Sequence, residues 1–73
     1  MRHPPGSLLF IGNLGAPGWV NETFTDKVYE FTEGDVVIVI EKSKELNGEA
    51  LCLTCHGLLY LHIEDLELCS ETK

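Results

Sequence analysis

The clearest pattern in the chain is an unbroken run of five β-branched residues at positions 36–40, which is a strong strand signal. A polar stretch follows it, and then Asn47-Gly48, a dipeptide that readily accepts positive φ in a tight turn. Residues 49–55 form a second run rich in apolar side chains. The pattern predicts an antiparallel hairpin that joins residues 36–42 to residues 49–55.

Alternating positions predict a further strand at residues 58–63. Leu59, Leu61 and Ile63 would face the core, while Leu58, Tyr60 and His62 would form the outer or partner-facing set. Glu64-Asp65 favours one helical turn, and Leu66-Glu67-Leu68 is predicted as a short last strand. Residues 7–11 are predicted as the first strand.

A long segment, residues 12–33, separates the first strand from the run at 36–40. It contains glycines, prolines and the aromatic residues Trp19, Phe24 and Tyr29, without helical periodicity, so we expect a loop. Aromatic residues on such a loop either contact a partner or fill the end of a small core, and Trp19 is compatible with both. The expected core comprises Leu9, Ile11, Val37, Val39, Leu51, Leu53, Leu59, Leu61, Ile63 and Leu66.

Composition narrows the range of functions. The chain has 73 residues and a net charge of −7, from 12 acidic and 5 basic residues. We expect one domain, without direct nucleic-acid binding, and a partner that is basic or itself binds nucleic acid. No stretch reaches the roughly 20 apolar residues of a membrane span, and three cysteines do not suggest a closed disulfide framework. These features indicate a cytoplasmic protein.

Two segments carry a resemblance to a known fold. Residues 31–39, Phe-Thr-Glu-Gly-Asp-Val-Val-Ile-Val, and the ending with Asp65-Leu66-Glu67 resemble the SH3-like barrel over residues 7–69, with 70–73 as a frayed tail. The resemblance implies an all-β, five-stranded antiparallel barrel with a long loop between its first two strands and a diverging turn at Gly34-Asp35. The chain lacks the aromatic platform of SH3 domains that bind polyproline.

The short acidic chain also resembles, in style, accessory proteins of tailed bacteriophages. That resemblance implies a non-enzymatic protein that binds and modulates a host or phage protein in the bacterial cytoplasm, as a monomer or homodimer. A structural component of the phage particle is the alternative. The residues expected to contact the partner are Trp19, Phe24, Tyr29, Glu41, Glu45 and Glu49.

Cys52, Cys55 and His56 form a C-x-x-C-H pattern that is typical of haem attachment and also offers zinc ligands. The pattern lies in a predicted strand, where residues three apart point to opposite faces. A small zinc-binding protein using these three residues therefore stays an alternative, and no cofactor is expected. Otherwise Cys55 would be a core residue and Cys52 would lie on the outer face. No catalytic residue is expected, because the carboxylates lie mostly at predicted turns and strand ends, and Asp35 is better suited to cap a turn.

Overall fold

The structure is a computed structural model that describes residues 3–21, 23–43 and 48–71. Within these ranges the chain forms six strands and one short helix. They are β1 (Leu8–Phe10), β2 (Ala16–Trp19), β3 (Val28–Phe31), β4 (Val36–Lys42), β5 (Glu49–Thr54), β6 (Gly57–His62) and α1 (Ile63–Leu66).

The described strands form one antiparallel sheet in the order β1-β4-β5-β6-β2-β3, and no pairing joins β1 to β3 to close it. The all-β prediction is confirmed, but the sheet has six strands rather than five. The β4–β5 pairing is confirmed as well, with Val39 opposite Cys52 and Lys42 opposite Ala50. Asn47, which was predicted to form the turn between these strands, lies outside the described residues.

The segment predicted as a long loop is instead a hairpin of β2 and β3, in which Gly18 lies opposite Tyr29. Proline and glycine in β2 weakened the strand signal. The ladder between β2 and β6 has a single residue pair, Trp19 with Tyr60, and Pro17 lies outside that pair. A strand that contains proline is tolerated where few hydrogen bonds are required from it.

The last predicted strand, Leu66-Glu67-Leu68, is also wrong. The predicted helical turn is present and extends through Leu66, and the chain then turns before Ser70 forms an isolated bridge with Phe10. A turn is present at Gly34-Asp35, as predicted. Gly34 has a φ of 93°, and the backbone N–H of Thr32 donates to Oδ2 of Asp35 at 2.8 Å.

The core lies on the inner face of the sheet. Its buried apolar residues are Leu9, Ile11, Ala16, Phe31, Val37, Val39, Ala50, Cys52, Leu59, Leu61, Ile63, Leu66 and Cys69. Leu51 and Leu53 were predicted in this core and are not there. Residues paired across an antiparallel ladder share a face, and Cys52 lies between Val39 and Leu59 in its two ladders. Cys52 therefore points inward, and Leu51 and Leu53 point outward.

A bulge in β4 further separates the two faces. The register between β4 and β5 shifts between Val39 and Glu41, so that Ile40 and Glu41 are both exposed. An extra residue of this kind re-aims the side chains that follow it. It leaves Glu41 opposite Leu51 on the outer face and turns Lys42 toward the interior.

Candidate functional site

Three aromatic rings meet on the outer side of the sheet. Trp19, at the end of β2, lies 4.9 Å from Phe24 and 5.1 Å from His62 between ring centroids. Phe24 and His62 are closer still, at 3.9 Å. All three residues are half-buried. We call Trp19, Phe24 and His62 the aromatic cluster.

Asn21 organises the loop that presents Phe24. Its side-chain amide donates to the hydroxyls of Thr23 and Thr25, at 2.6 and 2.9 Å. Its carbonyl oxygen Oδ1 accepts the backbone N–H groups of Thr25 and Asp26. Asparagine side chains often close turns in this way. Within this turn Phe24 has a φ of 58°, a left-handed conformation that is uncommon for a bulky residue.

An acidic groove adjoins the aromatic cluster. It has a volume of about 140 Å³ and is lined by Glu41, Lys42, Ser43, Glu49, Leu51 and Tyr60. Tyr60 connects the two features, because it lies opposite Leu51 in one ladder and opposite Trp19 in the other. The aromatic cluster and the acidic groove therefore form one continuous surface, which we call the outer site.

The charge of the outer site is negative although a lysine lines it. The side chain of Lys42 is fully buried. Its Nζ donates to the backbone oxygen of His3 at 3.1 Å and lies 3.8 Å from Oε2 of Glu67. The positive charge of Lys42 therefore lies inside the protein, whereas Glu41 is exposed and Glu49 is half-exposed at the groove.

Four of the six residues predicted to contact a partner are in the outer site: Trp19, Phe24, Glu41 and Glu49. Glu45 lies outside the described residues. Tyr29 lies elsewhere, because it is opposite Gly18 and shares the inward orientation of that residue. The ring of Tyr29 stacks on that of His56, with 4.6 Å between the centroids. Nζ of Lys27 lies 5.0 Å from the centroid of the Tyr29 ring.

The sequence placed Tyr60 and His62 in the outer or partner-facing set but did not name them among the residues that contact the partner. The alternation in β6 placed both residues on the outer face correctly. Their contact with Trp19 depends on β2 lying beside β6, and β2 was not predicted. An aromatic residue at an outward position, in a strand that also carries a histidine, was the available signal.

The structure does not bring Cys52, Cys55 and His56 together. Cys52 is completely buried, whereas Cys55 and His56 lie in the exposed turn between β5 and β6. The predicted orientations of the two cysteines were therefore reversed. Burial, reinforced by the neighbouring Cys69, raises the pKa of the Cys52 thiol to about 12, which disfavours the thiolate that a metal requires. Among the described residues no three potential ligands cluster.

Comparison of the chain with models of protein families, with curated proteins and with solved structures finds no significant match. Within the described ranges, the only helix is four residues long, far short of what a membrane crossing needs. The outer site therefore has to be interpreted from its own chemistry.

Proposed function

We propose that this chain is a non-enzymatic protein-binding module that holds a basic segment of its partner in the outer site. The observation that carries this proposal is the continuity of the aromatic cluster with a groove whose exposed charges are Glu41 and Glu49. Aromatic side chains supply most of the binding energy in many protein interfaces. Carboxylates beside them favour lysine or arginine in the partner.

Each part of the outer site has a separate task. Trp19 and Tyr60 offer ring faces over which a cationic side chain or an apolar stem can lie. Glu41 and Glu49 supply the charge that orients that side chain. Asn21 holds the loop so that Phe24 is already in place, which lowers the entropy lost when the partner binds.

We also propose an SH3-like architecture and a role as a phage-type accessory protein that acts on a host or phage protein. The bridge between Phe10 and Ser70 supports the first proposal, because it joins the end of β1 to the segment after α1. The backbone bonds from Gly34 to Ile11 and from Ile11 to Asp35 tie the diverging turn to the end of β1. The acidic charge of the chain supports the second proposal.

The test is affinity capture from bacterial lysate with matched pairs of charge variants. Glu41→Gln with Glu49→Gln removes two charges at the groove. Glu30→Gln with Glu64→Gln removes two exposed charges elsewhere. We expect the first pair to lose most of the captured partner and the second pair to retain it. Equal loss with both pairs would mean that net charge alone attracts the partner, and the groove would have no specific role.

The aromatic contribution is tested with Phe24→Asn and Trp19→Ala. Asparagine tolerates the left-handed backbone of position 24, so the loop is expected to keep its shape without the ring. Loss of an aromatic hot spot weakens binding by about 2 kcal/mol or more, or roughly thirtyfold. Retention of full affinity by both variants, with unchanged circular dichroism, would contradict the proposal.

A further inference from the structure

A second feature of the outer face borders the outer site at Leu51 and Tyr60. Leu8, Ile38, Leu53 and Leu58 lie side by side across four strands, each opposite the next in its ladder. We call these four residues the apolar row. Leu8 is 42% exposed, Leu53 45% and Leu58 56%. A row of this kind crosses the sheet perpendicular to its strands.

The surroundings of the apolar row are apolar as well. Val36 and Ile40, the neighbouring outward residues of β4, are 37% and 45% exposed. Phe10, Leu51 and Tyr60 are half-buried beside it. No outward position is charged within residues 8–10, 36–40, 51–53 and 58–60. The chain as a whole carries 17 charged residues, 12 acidic and 5 basic.

The size of this surface fits a small interface. Its exposed side chains present on the order of 400 Å² of apolar area, which lies in the range of about 300–600 Å² for the largest, often functional, patches of monomeric proteins. With the half-buried neighbours included, each copy could bury roughly 600 Å², the level of weak and transient complexes.

We propose that two copies of this chain associate face to face through the apolar row and form a weak homodimer. A two-fold interface uses the same surface on both copies, so that surface must complement itself. An uncharged apolar surface does so. Two chains of net charge −7 repel each other, and the carboxylates of the groove, Glu41 and Glu49, lie beyond Leu51 and Tyr60, away from the row.

A basic partner would gain nothing from this surface, since it offers no carboxylate. The homodimer and the proposed partner binding therefore respond to salt in opposite directions. Added salt screens the repulsion between two acidic copies and strengthens the homodimer. The same salt weakens attraction between the acidic groove and a basic segment. Failure of one proposal thus leaves the other intact.

Sedimentation equilibrium on the full chain, from low micromolar to near-millimolar concentration, tests the dimer. We expect the average mass to rise from that of the 8.1 kDa chain toward twice that value. Leu53→Glu should weaken association at least about tenfold, because it places two carboxylates in one apolar interface. The matched control is Leu68→Glu, at a leucine that is 74% exposed outside the row, and it should leave association unchanged.

Leu58→Glu provides a second variant if Leu53→Glu does not fold, and circular dichroism checks the fold of each. A chain that stays monomeric at all concentrations and in high salt would overturn the proposal. So would a dimer that Leu53→Glu and Leu58→Glu leave unaffected, because the interface would then lie elsewhere. A dimer that dissociates as salt is added would be held together by charges and would contradict the apolar row.

Discussion

The packing of β2 over the core leads to a sharp prediction for Gly18→Ala. Gly18 points inward between the buried side chains of Phe31, Leu59 and Leu61. A Cβ atom at Gly18 would lie 2.8 Å from Cε2 of Phe31, 3.2 Å from Cδ1 of Leu61 and 3.5 Å from Cδ1 of Leu59. The first of these distances is shorter than carbon atoms can approach, so the ring or the strand has to move.

The expected magnitude follows from two opposing effects. Extra carbon atoms in a well-packed core cost about 1–3 kcal/mol. Replacing glycine by alanine restricts the unfolded chain and returns about 0.4–1 kcal/mol where the backbone is compatible, and Gly18 has no positive φ. We therefore expect a net loss of about 1–2 kcal/mol. For a domain of this size that corresponds to a fall in Tm of about 4–16 °C.

Urea unfolding followed by circular dichroism measures this loss, and Gly12→Ala is the matched control. The nearest heavy atom to a Cβ at Gly12 is the backbone oxygen of Leu68 at 3.8 Å, an ordinary contact. Gly12→Ala is expected to be neutral or slightly stabilising. Because Gly18 precedes Trp19, the only tryptophan, Gly18→Ala should also change tryptophan emission.

One result would refute this reasoning. If Gly18→Ala unfolds at the same urea concentration as Gly12→Ala or at a higher one, β2 does not pack against Phe31 as described. The hairpin that carries Trp19 would then be misplaced, and the outer site with it.

The remaining predictions concern two buried polar groups. Because burial raises the pKa of Cys52 from 9.0 to about 12, the folded state favours the neutral thiol. The resulting contribution to the free energy of unfolding, on the order of 4 kcal/mol, is fully present below pH 9 and is lost as the pH rises toward 12. In urea titrations across that range, Cys52→Ala should lose less stability than Cys55→Ala, and equal slopes would contradict the assignment. Lys42→Met should cost about 2–3 kcal/mol, because it removes the bond to His3 and leaves the carboxylate of Glu67 without its buried cation. Adding Glu67→Leu should restore part of that loss, as measured by the urea midpoint, and no recovery would show that the ion pair is unimportant.

The strands with strong local patterns were predictable from the sequence. The β-branched run at 36–40, with the two residues after it, predicted β4 with its observed bounds, Val36–Lys42. Alternation in β6 assigned Leu59 and Leu61 to the core and Tyr60 and His62 to the outer face. In both strands, local preference and burial agree. That agreement is what makes a segment predictable without its neighbours.

The orientation of β5 was not predictable from its own sequence. Its large residues, Leu51 and Leu53, suggested the core, whereas Ala50 and Cys52 occupy it. The pairing of Cys52 with Val39 of β4 and Leu59 of β6 determines which face of β5 points inward. A shift of one residue exchanges the two faces of a strand, and no property of residues 49–55 reveals that register.

The candidate site was half predictable for a similar reason. Aromatic residues in a glycine-rich segment drew attention to Trp19 and Phe24, and charge drew attention to Glu41 and Glu49. The hairpin that positions them was missed because β2 contains proline and glycine. The absence of Tyr29 from the outer site has the same cause, since its pairing with Gly18 in this hairpin turns it inward.

The orientation of β5 also explains why so acidic a chain carries an apolar outer face. The small side chains of Ala50 and Cys52 occupy the core side of β5, so the leucines of β5 project outward beside Ile38 and Leu58. Exposed apolar surface of this extent promotes association, and net charge opposes it. The charge of −7 therefore limits association to the part of the outer face around the apolar row, where the outward residues are uncharged. The same distribution leaves the acidic groove free for a basic partner, so that one sheet face presents two surfaces with opposite responses to salt.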